Sequence, residues 1–153
     1  TSRRVDDTQV VWQRGSSLSD VLDSSEHHYP QPEPQWIEDR IWIWLHYGAT
    51  KIARGEYFEA MEFLSFLRTV ALSPLALKQQ GMTPSGVRKI EQRLPDFTEQ
   101  LKQTVCPPDR KALIPALETM VDIYLSLREQ EQVEINHKAQ QVCMDYVERE
   151  LKQ

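Results

Sequence analysis

The sequence predicts a mainly α protein: an antiparallel bundle of four or more helices, preceded by one short N-terminal strand and a linker. Three observations predict it. From residue 35 onward apolar residues recur at helical spacing, as in Ile37, Ile41, Trp44, Leu45, Gly48 and Ile52. Helix breakers stand between the periodic stretches, with 9 Pro and 5 Gly in the chain. At 153 residues and 40% hydrophobic content the chain holds enough apolar material for one core, which excludes wholesale disorder. Collagen-like and disulfide-framework chains are excluded as well, by scarce Gly and only 2 Cys.

The elements follow in order. Thr8 to Trp12 is rich in β-branched and aromatic residues and is closed by Arg14-Gly15, so it reads as a strand. A lone strand leaves its backbone donors and acceptors unpaired and must find a partner the chain does not supply. Ser17 to Asp23 reads as a short helix, and Ser24 to Gln35, with Pro30, Pro32 and Pro34, has linker composition. Residues 1–33 are thus separate from a bundle over 34–153. The first bundle helix carries Trp42 and Ile43 off its main apolar stripe, so it is apolar on more than one side and expected to be central. Arg54-Gly55 stops it. A second helix begins near Glu56 and ends or bends before Pro74, with a further turn or two to Gln80. Thr83-Pro84 opens a short helix through Gln92, Leu94-Pro95 breaks it, and Asp96 to Val105 forms another amphipathic piece. Asp109 caps a long helix carrying Leu113, Leu117, Met120, Val121, Tyr124 and Leu127, and a last helix carries Ile135, Ala139, Val142, Cys143, Tyr146, Val147 and Leu151.

Charge and cysteines narrow the function classes. A net charge of −5 argues against a whole-surface nucleic-acid or anionic-membrane binder. The balance is uneven: residues 1–33 carry three Arg against six acids, residues 51–93 seven Lys/Arg against four Glu. The basic middle is where an anion is expected, although a solvated helix face has the same composition. Cys106 and Cys143 lack the close spacing of a zinc site and read as reduced thiols, Cys143 in the core. No uninterrupted apolar run approaches the roughly 20 residues of a membrane span, and no leader pattern opens the sequence, so a cytoplasmic location is expected.

Candidate chemistry is sparse. Gly15-Ser16 followed by Asp20 and Asp23 has the ingredients of a metal-binding nucleotidyl-transfer turn. The two acids are three apart on a helix, not alternating on a strand, and they follow the turn too closely. Helix capping is the reading they support, and no metal site is expected. Arg40 and His46 are similar to the pair of HEPN-type ribonucleases, where His moves a proton and Arg holds phosphate; Ile41 stands where those enzymes place a polar residue. Asp39, His46 and Thr50 share one helical meridian, beside Arg40, Tyr47, Lys51 and Arg54. This stripe reads either as a solvent face or as a ligand-facing surface against another domain. His27, His28 and His137 read as surface residues.

Residues 36–68, with the Arg54-Gly55-Glu56 corner, resemble the C-terminal helical domain of bacterial nucleotidyltransferase-like proteins, relatives of the lincosamide and aminoglycoside nucleotidyltransferases. Residues 72–77, 86–91 and 122–128 resemble the same group. The resemblance implies that Thr8 to Trp12 is the last strand of a preceding catalytic domain whose Gly-Ser turn and Asp-x-Asp pair this chain lacks. It implies nucleotide transfer from an NTP to a hydroxyl acceptor, with Mg²⁺ and NTP bound only in the presence of that domain, supplied in cis or in trans. The bundle then forms one wall of the substrate cleft and is inactive alone. On this resemblance Glu38, Asp39 and Glu56 are base candidates, His46 and Tyr47 substrate contacts, and Lys51 or Arg54 phosphate contacts. The competing expectation is a free-standing HEPN-like interaction module that partners a separate nucleotidyltransferase. A homodimer formed through the unpaired strand is a further expectation.

Overall fold

The computed structural model describes residues 3–6 and 8–153. The chain divides into two compact units, Thr1–Gln31 and Pro32–Gln153.

In the first unit, β1 (Arg3–Arg4) pairs in parallel with β2 (Glu26–His27), Arg3 opposite Glu26 and Arg4 opposite His27. Between them lies α1 (Ser17–Asp23). The strand expected over Thr8 to Trp12 does not form; these residues are irregular, with Val11 97% and Trp12 81% exposed. β-Branched residues favour strands because they pack on a pleated, half-buried surface, and here no such surface receives them. The short sheet instead pairs other residues of the same unit, and the strand from which a homodimer was expected is not formed. Ser16 Oγ donates to Asp20 Oδ2 at 2.9 Å, a local helix-start contact.

The second unit is a helical bundle built around α2 (Pro34–Ala53). Pro34 suits the first turn because its missing N–H is one the helix leaves unpaired anyway. α2 ends in a Schellman turn. Gly55 adopts φ +76°, its N–H donates to Ile52 O, and Glu56 N–H donates to Lys51 O at 2.9 Å. The chain reverses there into α3 (Tyr57–Leu67), which continues without a break into α4 (Ser73–Gln79). The interruption before Pro74 takes the form of one π turn, Arg68–Leu72, where Ser73 N–H reaches back to Arg68 O. The wider turn gives room for the proline ring, which would otherwise meet the carbonyl one turn back. The joined helix, Tyr57–Gln79, is 23 residues, and its most apolar 18-residue stretch has a mean hydropathy of 1.3, long and apolar enough to cross a membrane. Its Leu64, Leu67, Leu72, Leu75 and Leu77 are buried in the bundle, which accounts for that composition.

The helix expected from Thr83 to Gln92 shrinks to α5 (Ile90–Arg93). Gly86 and Lys89 adopt φ +63° and +55°, and a left-handed residue cannot sit inside a right-handed helix. α6 (Pro95–Lys102) follows. α7 (Arg110–Arg128) is capped by the Asp109 carboxylate, which accepts from Ala112 N–H at 2.9 Å. α8 (His137–Tyr146) is capped likewise by Asn136 and passes into a π turn, Val147–Leu151.

α2 packs on α3, α7 and α8. Its buried residues, Ile37, Glu38, Ile41, Trp42, Leu45, Gly48, Ala49 and Ile52, cover more than one side, as a central helix requires. Gly48 is close to the limit: a Cβ there would lie 3.2 Å from Phe63 Cδ1.

Candidate functional site

α2 carries all seven sequence-expected site residues or abuts them, and the structure sends them in three directions.

Glu38 points inward. It is 0% exposed and every donor around it is aimed at its carboxylate. Trp42 Nε1 donates to Oε1 at 3.1 Å and Asn136 N–H to the same oxygen at 3.0 Å. The Tyr124 hydroxyl donates to Oε2 in a short hydrogen bond. Arg128 Nη1 lies 3.2 Å from Oε1 and also donates to Gln140 Oε1 at 2.9 Å. Burial, reinforced by the hydrogen bond to Glu38 and by its charge, holds the Tyr124 hydroxyl far above the ordinary phenol range. One carboxylate thereby ties α2 to α7 and to the start of α8. A buried ion pair with its lone pairs filled is a structural device. As a base it would have to give up these partners before reaching any substrate.

Tyr47, Lys51, Glu56 and Glu59 meet at the α2–α3 corner. Lys51 Nζ lies 2.7 Å from Glu56 Oε2 and 3.2 Å from Glu59 Oε1, and 5.0 Å from the centre of the Tyr47 ring. Tyr47 OH donates to Glu59 Oε1 at 2.8 Å. The hydrogen bond to Glu56 raises the Lys51 ammonium above its ordinary value, against partial burial. Hydrogen bonds from Tyr47 and Lys51 lower Glu59. The expected phosphate contact is thus already neutralised by two carboxylates, one of them the base candidate Glu56. Arg54 is exposed at the end of α2. Elsewhere in the basic middle, Lys78 pairs with Glu131 at 3.0 Å, Arg68 donates to Thr104 O at 3.0 Å, and Arg93 donates to Ser85 Oγ at 2.8 Å. Four of the seven cations, Lys51, Arg68, Lys78 and Arg93, are thus engaged within the fold.

His46 and Asp39 lie on the other flank, toward α8. The His46 ring sits 4.5 Å from the Tyr146 ring, and Asp39 accepts from Gln35 Nε2 at 2.9 Å. Arg40 donates to Trp36 O at 3.1 Å with its guanidinium 4.4 Å from that indole's ring centre. Its partners are on the α3 side, so Arg40 and His46 do not converge as a ribonuclease pair. Among the described residues no group of three or more His, Cys, Asp or Glu is placed to hold a metal ion.

Two further features emerge only in the folded chain. One is an open groove of about 430 Å³ between α2 and α8, mainly apolar, lined by Trp42, Ile43, Ala139, Val142 and Cys143 with His46, Asn136 and Lys138 around it. Burial pushes the Cys143 thiol up to about 11, which keeps it protonated and unreactive at neutral pH. The other is a run of rings across α2 and α3: Trp36–Trp44 at 5.5 Å, Trp44–Phe66 at 5.3 Å, Phe66–Phe63 at 5.7 Å and Phe63–Tyr47 at 5.0 Å. Trp36, Phe66 and Tyr47 are partly exposed there. No protein family, curated protein or solved structure matches the chain.

Proposed function

We propose that this chain is a helical interaction module of the cytoplasm, which docks a partner on the outward side of α2. The observation that carries the reading is the exposure of large apolar side chains there: Ile43 is 65% exposed, with Trp36 and Tyr47 beside it, Phe66 on α3 and Val142 on α8. Scattered apolar residues on a surface need no explanation, but a cluster on neighbouring helices is the composition of a docking face. The inward carboxylate Glu38 and the self-neutralised Lys51 corner support the same reading, because each is committed to the fold.

A second reading, that the bundle walls the cleft of a nucleotidyltransferase whose catalytic domain acts in cis or in trans, is favoured by the exposed Arg54 at the Arg-Gly-Glu corner. One experiment tests both. A photoreactive amino acid placed at position 43, at 142 and, as control, at Lys111 on the exposed side of α7 is activated in cells. Discrete adducts from 43 and 142 but not from 111 are expected. A partner holding a Gly-Ser turn and an Asp-x-Asp pair supports the second reading. Adducts equally strong from all three positions, or none, overturn the docking face.

A further inference from the structure

We propose that the pocket between the Arg68 π turn and the α5–α6 segment binds a small monocarboxylate with an apolar tail, its carboxylate seated on the Arg68 guanidinium. The site shares no lining residue with the α2–α8 groove and is independent of what docks there.

Arg68 supplies the partner for the carboxylate. Its Nη1 donates to Thr104 O at 3.0 Å and to Thr104 Oγ1 at 3.1 Å, which fixes the guanidinium. Both acceptors are neutral. Nε and Nη2 donate to no protein atom, and neither is sealed from solvent. These two nitrogens share one edge of the guanidinium, the fork that meets both oxygens of a carboxylate. Among the described residues Arg68 has no ion pair with an acid. Burial lowers its guanidinium below the ordinary value, and only the Cys106 thiol acts the other way. A half-dry guanidinium with no acid of the fold beside it attracts an anion more strongly than one in open water.

The neighbouring charges set the ligand's charge at one. Lys102 and Glu99 balance each other at 2.6 Å on the rim. Glu91 lines the pocket from α5 and is exposed, and it is not among the groups that act on Arg68. Burial and then Asp109 raise the Cys106 thiol, but Asp109 does not act on Arg68 either. Arg88 and Lys89, which lie between the lining residues Val87 and Ile90, are exposed and form no ion pair among the described residues. With one guanidinium inside and one unpaired acid at the rim, the pocket suits a single negative charge better than a phosphate dianion.

The rest of the lining takes the tail. Val87, Ile90, Leu101 and Val105 present apolar side chains around Arg68. Thr98 is the remaining polar group, and its hydroxyl donates to Ile90 O at 3.1 Å. Gly86 lets this wall approach the π turn, since a Cβ there would lie 3.3 Å from Thr69 Cγ2. The pocket holds about 210 Å³, roughly seven water volumes, or a carboxylate with about five carbons. A free short-chain acid and the C-terminal residue of a peptide offer the same chemistry, and two probes separate these sources.

The test titrates the isotope-labelled full chain, followed by amide NMR, with isocaproate and with acetyl-Ala-Ala-Leu bearing a free C-terminus. Isocaproate is expected to shift the resonances of Val87, Ile90, Leu101 and Val105 with a Kd of about 1 mM. Acetate, which lacks the tail, and isohexanol, which lacks the charge, are expected to bind at least about tenfold more weakly. Arg68→Lys keeps the charge and loses the fork, and weakens isocaproate by about three- to tenfold. Val105 is 64% exposed, so Val105→Glu keeps the circular dichroism spectrum; its added acid at the mouth lowers the affinity by more than about tenfold. Should Arg68→Lys unfold, Val105→Glu carries the test. Tighter binding of isocaproate than of the peptide assigns the site to a free acid. Tighter binding of the peptide, abolished when its C-terminus is amidated, assigns it to a chain end; either result supports the proposal. No binding of either acid, equal affinity for acetate or isohexanol, inorganic phosphate binding tighter than both acids, or affinity indifferent to Val105→Glu each overturns it.

Discussion

Glu38→Gln is the substitution that most sharply separates a structural carboxylate from a catalytic one. The change keeps the volume of a side chain that is 0% exposed. The remaining oxygen still accepts from Trp42 and Asn136, and the new amide can donate to the Tyr124 oxygen once that hydroxyl turns. What disappears is the negative charge facing Arg128, whose side chain is 13% exposed and 3.2 Å away. A guanidinium left in a half-dry site without its counter-ion costs about 3–5 kcal/mol. For a domain of this size that corresponds to a fall in Tm of roughly 10–15 °C. Urea unfolding followed by tryptophan fluorescence is the assay, since Trp42 reports from inside the network. Replacing both partners, as Glu38→Gln with Arg128→Met, removes the stranded charge and is expected to recover about 2–3 kcal/mol of the loss. A single-variant loss below about 1 kcal/mol, or a double variant whose loss is simply the sum of the two singles, refutes the assignment of Glu38 as the tie between α2, α7 and α8.

Two other outcomes follow from the fold. Gly55→Ala meets no close neighbour, since only the far end of Tyr57 comes within 4.0 Å. Its φ of +76° is unfavourable for any Cβ, so the variant is expected to lose about 1–2 kcal/mol in thermal or urea unfolding; an unchanged midpoint contradicts the Schellman turn. Cys143 is raised in the folded state by burial, so its contribution to stability is fully present below the ordinary thiol pKa. That contribution is lost as pH rises through the folded value, about 11. Between about pH 9 and 11 this amounts to roughly 2–3 kcal/mol, and Cys143→Ala is expected to remove that part of the alkaline slope; an identical slope in the variant contradicts it.

The inward stripe of α2 was legible because Ile37, Ile41, Leu45 and Ile52 repeat at helical spacing, and Trp42 off that stripe announced a second buried side. Glu38 was not legible as a core residue. Its partners Tyr124, Arg128 and Asn136 lie 86, 90 and 98 positions away, and no local pattern marks a carboxylate that only tertiary contacts will satisfy. The Lys51 corner was within reach: a glycine stop turns the chain back, which carries Glu56 and Glu59 against the last turn of α2. The expected strand at Thr8 to Trp12 failed for the opposite reason. Its propensity is real, but propensity describes a fit to neighbours, and Val11 and Trp12 have none to fit. The short helix after Pro84 failed at Lys89, a residue whose identity gives no sign of a left-handed backbone. The groove escaped notice because its two walls lie 99 residues apart at Ile43 and Val142, and by sequence each counts among the apolar, core-facing residues of its own helix.

On the proposed function, α2 has an inward side that holds the bundle together and an outward side that docks a partner. Ile43→Asp, measured for thermal stability and for adduct formation in cells from a photoreactive amino acid at position 142, tests that division most directly. With 65% of Ile43 exposed, the predicted result is a Tm within a few degrees of the parent, as for an ordinary surface substitution, and loss of the adducts formed from position 142. A variant that unfolds, or one that stays folded and forms the same adducts as the parent, contradicts it.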